Sequence, residues 1–253
     1  MDRASYLDSL RSDAADLLAA ADVHSLGADV PSCPGWTLER LVGHVGRVYR
    51  RTAGWVVGEG SRELPRPPEG GAVVDWTRAG LAELLAAFDE VAGVGDPDTP
   101  DATVETWAGD QPPIFWPRRM AIETAVHRWD AQAAARGEGG PIGTDLALDA
   151  VDELLLVILP WRGTGGLEDE SEGKTLHLHA TDVAGAEAGD GEWLVTIGPG
   201  GLAVEHAHAK GDVAVRGTAS DLLLLLYSRV PADRCEVFGD DGLLDRWRAA
   251  VKV

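Results

Sequence analysis

The feature that most constrains this chain is a change of hydrophobic period about two-thirds of the way along it. Up to residue 160, apolar residues recur at three- and four-residue spacing, which predicts helices near 3–24, 37–58, 72–92, 113–136 and 143–160. Beyond the Gly- and acid-rich stretch from Trp161 to Gly173 the pattern alternates instead. It does so in Thr175 to Thr181, Trp193 to Ile197, Leu202 to His208 and Val213 to Arg216, with glycines between them. That reads as a small antiparallel sheet. A helix near 218–228 opened by Thr218 or Ser220, a strand near 234–238 and a last helix near 240–251 follow. The expected organisation is an all-α domain over 1–162 and an α+β domain over 172–253.

Between the first two helices, Pro31-Ser32-Cys33-Pro34-Gly35-Trp36-Thr37 stops one and starts the next, with Thr37 as N-cap but no complete capping box. The loops 59–71 and 93–112 are long for a helical bundle, and long loops often carry function.

Charge narrows the partners. Against 42 Asp and Glu stand 22 Lys and Arg, a net charge of −20, which repels phosphate backbones and anionic lipid. Neither nucleic acid nor a membrane surface is an expected partner. The longest apolar runs, Leu154 to Pro160 and Leu222 to Tyr227, are too short to span a bilayer, and Met1-Asp2-Arg3 does not lead into an apolar leader. Two cysteines, Cys33 and Cys235, make no disulfide scaffold and lack zinc-ribbon spacing, so a reducing cytoplasm is the expected setting. Oligomeric state is not legible.

The chemistry concentrates on two helices. His44, with Leu41 three residues before it and Val48 four after, falls within a buried stripe. In Met120 to Asp130, Glu123 and His127 are four apart, so a carboxylate and an imidazole stack one turn from each other. Such a pair, faced by a histidine from another helix, supplies three N/O ligands and leaves a coordination position open, as catalytic zinc requires. The same spacing also serves a plain i,i+4 contact, and a histidine on an apolar face also serves as a core residue.

Four stretches carry a resemblance. Val30 to Thr37 running into Leu41-Val42-Gly43-His44, with Glu123-Thr124-Ala125-Val126-His127-Arg128-Trp129-Asp130, resembles the mycothiol-dependent maleylpyruvate isomerase family of actinobacterial proteins. Val215 to Tyr227 and Phe238 to Leu244 resemble that family's C-terminal domain. The resemblance implies a DinB-like four-helix bundle followed by an α+β domain. It also implies a His, Glu, His metal triad at His44, Glu123 and His127, with zinc and mycothiol as cofactors. The implied enzyme is an isomerase or thiol S-transferase acting on a small electrophile such as a maleylpyruvate-like dicarboxylate. In the family's named reaction a thiol adds to a cis double bond, the adduct rotates and the thiol leaves. Zinc there either lowers the thiol pKa or polarises the substrate carbonyl. Metal-dependent hydrolysis and a non-catalytic binding protein are the alternatives, because fold alone does not fix chemistry.

An anionic substrate meeting this acidic chain calls for local cations. Arg47, Arg50 and Arg51 follow His44, while Arg118, Arg119 and Arg128 flank the Glu–His pair, and Arg229 lies in the second domain. Asp130, three residues past His127, is a candidate to orient a ligand. Cys33 reads as a small buried residue rather than a nucleophile. Trp36 and Trp129 read as core and pocket lining. The pairs His177/His179 and His206/His208 each share a strand face. They read as solvent-facing, although paired strands would bring them together as metal ligands.

Overall fold

The helical period of the first part is realised as α1 (Arg3–Ala20), α2 (Leu38–Val56), α3 (Ala72–Glu90) and α4 (Phe115–Arg136). The computed structural model describes residues 1–22, 24–60, 64–91, 103–183 and 189–251. Half of the 93–112 loop singled out in the sequence, 93–102, lies outside them. Its end forms a short hairpin, β1 (Val104–Thr106) with β2 (Gly109–Gln111), which the apolar pattern does not signal.

Thr37 caps α2 as expected, its hydroxyl accepting from the Arg40 backbone N–H. The helix packs α2 against α3 closely because Gly46 carries no side chain. A Cβ there would stand 2.6 Å from both Thr77 Oγ1 and the Trp76 ring. α4 is buried along nearly its whole length, from Phe115 to Ala133, and ends where Gly137 takes a left-handed φ of 88° and donates its N–H to Ala133. A helix that central carries its polar residues inward, and it does so at a cost that only partners offset.

The chain divides into two compact units, Met1–Gly140 and Pro141–Val253. The stretch expected as a helix over 143–160 therefore falls in the second unit, and the Trp161 to Gly173 segment lies inside that unit. That stretch is α5 (Thr144–Glu153), a π-helical turn over Leu154–Ile158 and α6 (Leu159–Arg162). α5 packs on α8 (Ala219–Leu226), so its apolar face belongs to the core of the second unit. Periodicity identifies the helix but not the core it joins.

After α7 (Leu167–Ser171), the second unit builds a five-stranded sheet from β3 (Thr175–Ala180), β4 (Glu192–Gly198), β5 (Gly201–Glu205), β6 (Val213–Gly217) and β7 (Glu236–Gly239). The strand order is β5-β4-β3-β6-β7. The sheet is mixed rather than antiparallel: β3 pairs β6 in parallel, Leu176 opposite Val213 and Leu178 opposite Val215. Alternation reports which face a residue takes and not which way its neighbour runs. Thr218, not Ser220, caps α8, and Ser220 Oγ accepts the Ile142 N–H instead. α8 is apolar on every side and fully buried from Leu222 to Leu226, and α9 (Asp241–Ala250) adds Leu243, Leu244 and Trp247. No described helix is long and apolar enough to cross a membrane.

Candidate metal centre

α2 and α4 bring His44, Glu123 and His127 together, with one ligand atom of each within 4.8 Å of the others. His44 Nε2 lies 3.4 Å and His127 Nε2 3.3 Å from the same oxygen, Glu123 Oε1. These separations are long for N–H···O hydrogen bonds. They match the roughly 3.3 Å edge of a tetrahedron whose metal bonds are about 2.0–2.1 Å. The residues thus fit a divalent ion by donor chemistry and by spacing, with N/O donors converging.

The rings are fixed from behind. His127 Nδ1 lies 2.9 Å from Asp130 Oδ2, and Asp130 is fully buried. Asp130 also accepts a short hydrogen bond from Ser32 Oγ. A carboxylate on Nδ1 favours the tautomer that, once the ring is neutral, keeps its proton there and leaves the Nε2 lone pair toward Glu123. The Pro31 to Thr37 turn that breaks the helices therefore contributes Ser32 to the site, a role that a breaker motif does not announce. Trp36, from the same turn, sets its ring edge-on to His44 with centroids 5.1 Å apart, and the His44 and His127 rings meet at 5.2 Å. Tyr49 Oη and Thr124 Oγ1, 2.9 Å apart and buried, tie α2 to α4 one turn from the ligands.

Burial alone would push Glu123 upward, but Arg119, whose guanidinium donates to Oε2, and His127 outweigh it and hold the carboxyl well below its usual range. Burial likewise disfavours charge on His127, yet Glu123 and the bond to Asp130 raise the metal-free ring to about 9. Below that value a metal must displace a proton from His127. Apparent zinc affinity of the stripped protein is therefore expected to rise at least about tenfold per pH unit between pH 6 and 8 and to flatten above 9, read by competition with a chromophoric chelator. A flat profile from pH 6 to 8 would remove His127 from the ligand set.

The arginines sort by their partners. Arg119 grips the site's own carboxylate. Arg50 is buried against Glu83, Gly46 and Trp76, and Arg128 against Asp13, Gln132 and Gly140, so both are structural. Arg51 is exposed, Arg118 half-buried, and Arg229 turns back to the Tyr227 carbonyl in the second unit. A cavity of about 430 Å³ opens beside His44, walled by Trp36, Pro67 and Pro68, with Arg40 and Arg47 on its exposed side. Arg40, which the sequence reading passed over, stacks on Trp36 with its guanidinium carbon 4.6 Å from the ring centre. Cys33 is half-buried in the turn. Burial, with Asp221 beside it, pushes Cys235 up to about 11, outside the range of a reactive thiol. Trp129 is core, packed on Gly139.

Two family profiles match the chain: one described as the mycothiol maleylpyruvate isomerase N-terminal domain over residues 7–132, and one as the MDMPI C-terminal domain over 145–246. Among solved structures, the chain resembles a crystal structure of the mycothiol-dependent maleylpyruvate isomerase at 17% identity. The TM-score is 0.61, with 94% of this chain and 93% of that one covered. A histidine-to-alanine variant of that enzyme gives 15% identity and a TM-score of 0.59 over the same shares. At such identities the likeness is one of fold. No curated protein matches the chain in sequence.

Proposed function

Because the chain belongs to the mycothiol maleylpyruvate isomerase family across both of its units, we propose that it is an isomerase using a low-molecular-weight thiol. The thiol in this reading is mycothiol, the substrate a small electrophilic dicarboxylate of the maleylpyruvate kind, and the medium the cytoplasm. His44, Glu123 and His127 are the residues that would hold zinc. The four long helices of the first unit are read as a DinB-like bundle whose inward residues make the site.

The observation that carries this reading is the convergence of two imidazole nitrogens on one carboxylate oxygen, at 3.4 and 3.3 Å, beside a cavity edged by Arg40 and Arg47. His44, Glu123 and His127 would hold a divalent metal, which would supply the Lewis acidity that lowers the pKa of a thiol. Asp130 keeps the His127 proton on Nδ1, and Arg119 keeps Glu123 ionised and turned toward the ligands. Arg40 and Arg47 are the cations of a cavity that Glu39 and Glu69 also line, and they are the groups that would pair the carboxylates of a dianion. Trp36 walls the cavity beside His44.

In the reaction so supported, sulfur bonds to one carbon of the cis double bond while the π pair moves into the conjugated carbonyl. The bond, now single, rotates. Return of the electron pair expels the thiolate and leaves the trans isomer, with no net gain or loss of protons. The protein needs no nucleophile of its own, which agrees with a Cys235 held protonated.

The test is a thiol-dependence assay. Purified protein is expected to isomerise maleylpyruvate only when mycothiol is added, and Arg47→Ala is expected to raise KM about tenfold with little change in kcat. Turnover without thiol would favour metal-dependent hydrolysis. Bound metal without turnover of any thiol-reactive substrate would favour a binding protein that keeps the fold.

A further inference from the structure

We infer that the second unit carries another divalent-metal site, built by His177, Glu192 and His208 with His179 beside them, for a first-row transition ion of the zinc class. β3 sets His177 and His179 on one face of the sheet, and the β3–β4 register puts Glu192 directly opposite His179. His177 Nε2 and His208 Nδ1 stand 2.9 and 2.7 Å from the same oxygen, Glu192 Oε2, and His179 Nδ1 stands 3.8 Å from it. The three ring centroids are 5.6 to 6.2 Å apart. Three imidazoles around one carboxylate is a donor set that suits zinc, copper or nickel. Bringing the three nitrogen–oxygen separations to the roughly 3.3 Å edge of a tetrahedral site takes shifts of about half an ångström.

The expectation that these histidines face solvent holds for only part of the set. His177 and Glu192 are 7% and 11% exposed in their side chains, and His208, at 71%, stands on the open side. The pairing expected of His206 with His208 also fails. β5 ends at Glu205, so the two are not on a strand, and His206 turns to Asp152 at 3.3 Å while His208 turns to the cluster.

The segment that carries His208 is anchored at both ends. A Cβ on Gly211 would stand 2.9 Å from the His177 backbone nitrogen and 2.7 Å from the Val213 carbonyl, so this backbone lies against β3. Asp212 then accepts from both the Thr175 N–H and its hydroxyl, each at 2.8 Å. At the other end, Gly189 passes the His206 carbonyl closely enough that a Cβ would come within 3.2 Å of it. His208 is thereby presented to the cluster by backbone that is already placed. An ion there would fasten 206–212, a stretch outside the sheet ladder, to the central strand.

Zinc titration of the chelator-stripped, full-length protein tests this, with cobalt absorption bands as an independent readout of ligation. Wild type is expected to take two equivalents, His208→Ala one and Glu123→Gln one. Loss of a ligand should weaken the affected equivalent by more than the roughly 10–100-fold typical of an outer partner. His208→Ala is the main probe because its exposure spares the fold, and His177→Gln is the second. In the Glu123→Gln background, zinc should still raise the melting temperature, and adding His208→Ala should abolish that rise. A single equivalent that survives Glu123→Gln and is lost in His208→Ala would support this site and count against the first. A stoichiometry untouched by His208→Ala, or a folded Glu123→Gln protein that binds nothing, would overturn it.

Discussion

Glu123→Gln is expected to lower thiol-dependent turnover at least about 10²–10³-fold, the scale on which removing one preorganised electrostatic group from an active site lowers kcat. The side chain keeps its length, so the loss comes from charge and donor character. Oε1 is the point where His44 and His127 converge, and Oε2 is the acceptor for Arg119. An amide in that place offers a neutral oxygen to a cation and can turn its NH2 toward the two imidazoles, which are then left without a common acceptor. Zinc in excess should not restore the rate, and circular dichroism of the purified variant should match wild type. Wild-type turnover by a folded Glu123→Gln protein would remove this carboxylate from the site.

Asp130→Asn should cost about 10–100-fold in metal affinity, with a parallel fall in kcat. Asp130 touches no ligand position of its own. It acts through His127, whose Nδ1 it holds at 2.9 Å, so the variant frees the ring to take either tautomer. A role confined to packing would instead lower the melting temperature and leave metal affinity alone. Ser32→Ala, which removes a donor to Asp130, should show the same pattern at a smaller size, since one hydrogen bond contributes about 0.5–1.5 kcal/mol. Affinity measured by chelator competition on both variants, beside their thermal midpoints, separates positioning from packing.

The parts of this site that were legible in the sequence are those that depend on helical geometry. Glu123 and His127 share a face because they are four apart on one helix, and the stripe through Leu41, His44 and Val48 turns His44 inward. What was hidden depends on long separations. Ser32 meets Asp130 across 98 residues, and no local pattern joins a Pro-rich turn to the fifth turn of a distant helix. Arg119 looked like a substrate clamp because it flanks the pair, yet the i,i+4 rule that links Glu123 to His127 links Arg119 to Glu123 equally well. The parallel β3–β6 pairing and the packing of α5 on α8 follow from topology, which hydrophobic period does not encode. In the second unit, alternation gave His177 and His179 a common face. It could not foresee that β5 would stop at Glu205 and deliver His208 alone to them.

The central claim is that His44, Glu123 and His127 form a metal centre, and the most direct measurement is metal content of the purified, untagged protein beside His44→Ala and Glu123→Ala. It should be combined with His208→Ala in each, so that only this site is counted. The expected result is close to one zinc in the His208→Ala protein and almost none when either first-unit ligand is also replaced, all variants folded by circular dichroism. A folded His208→Ala protein that holds no metal and resists loading with zinc would contradict the claim and return the triad to core packing.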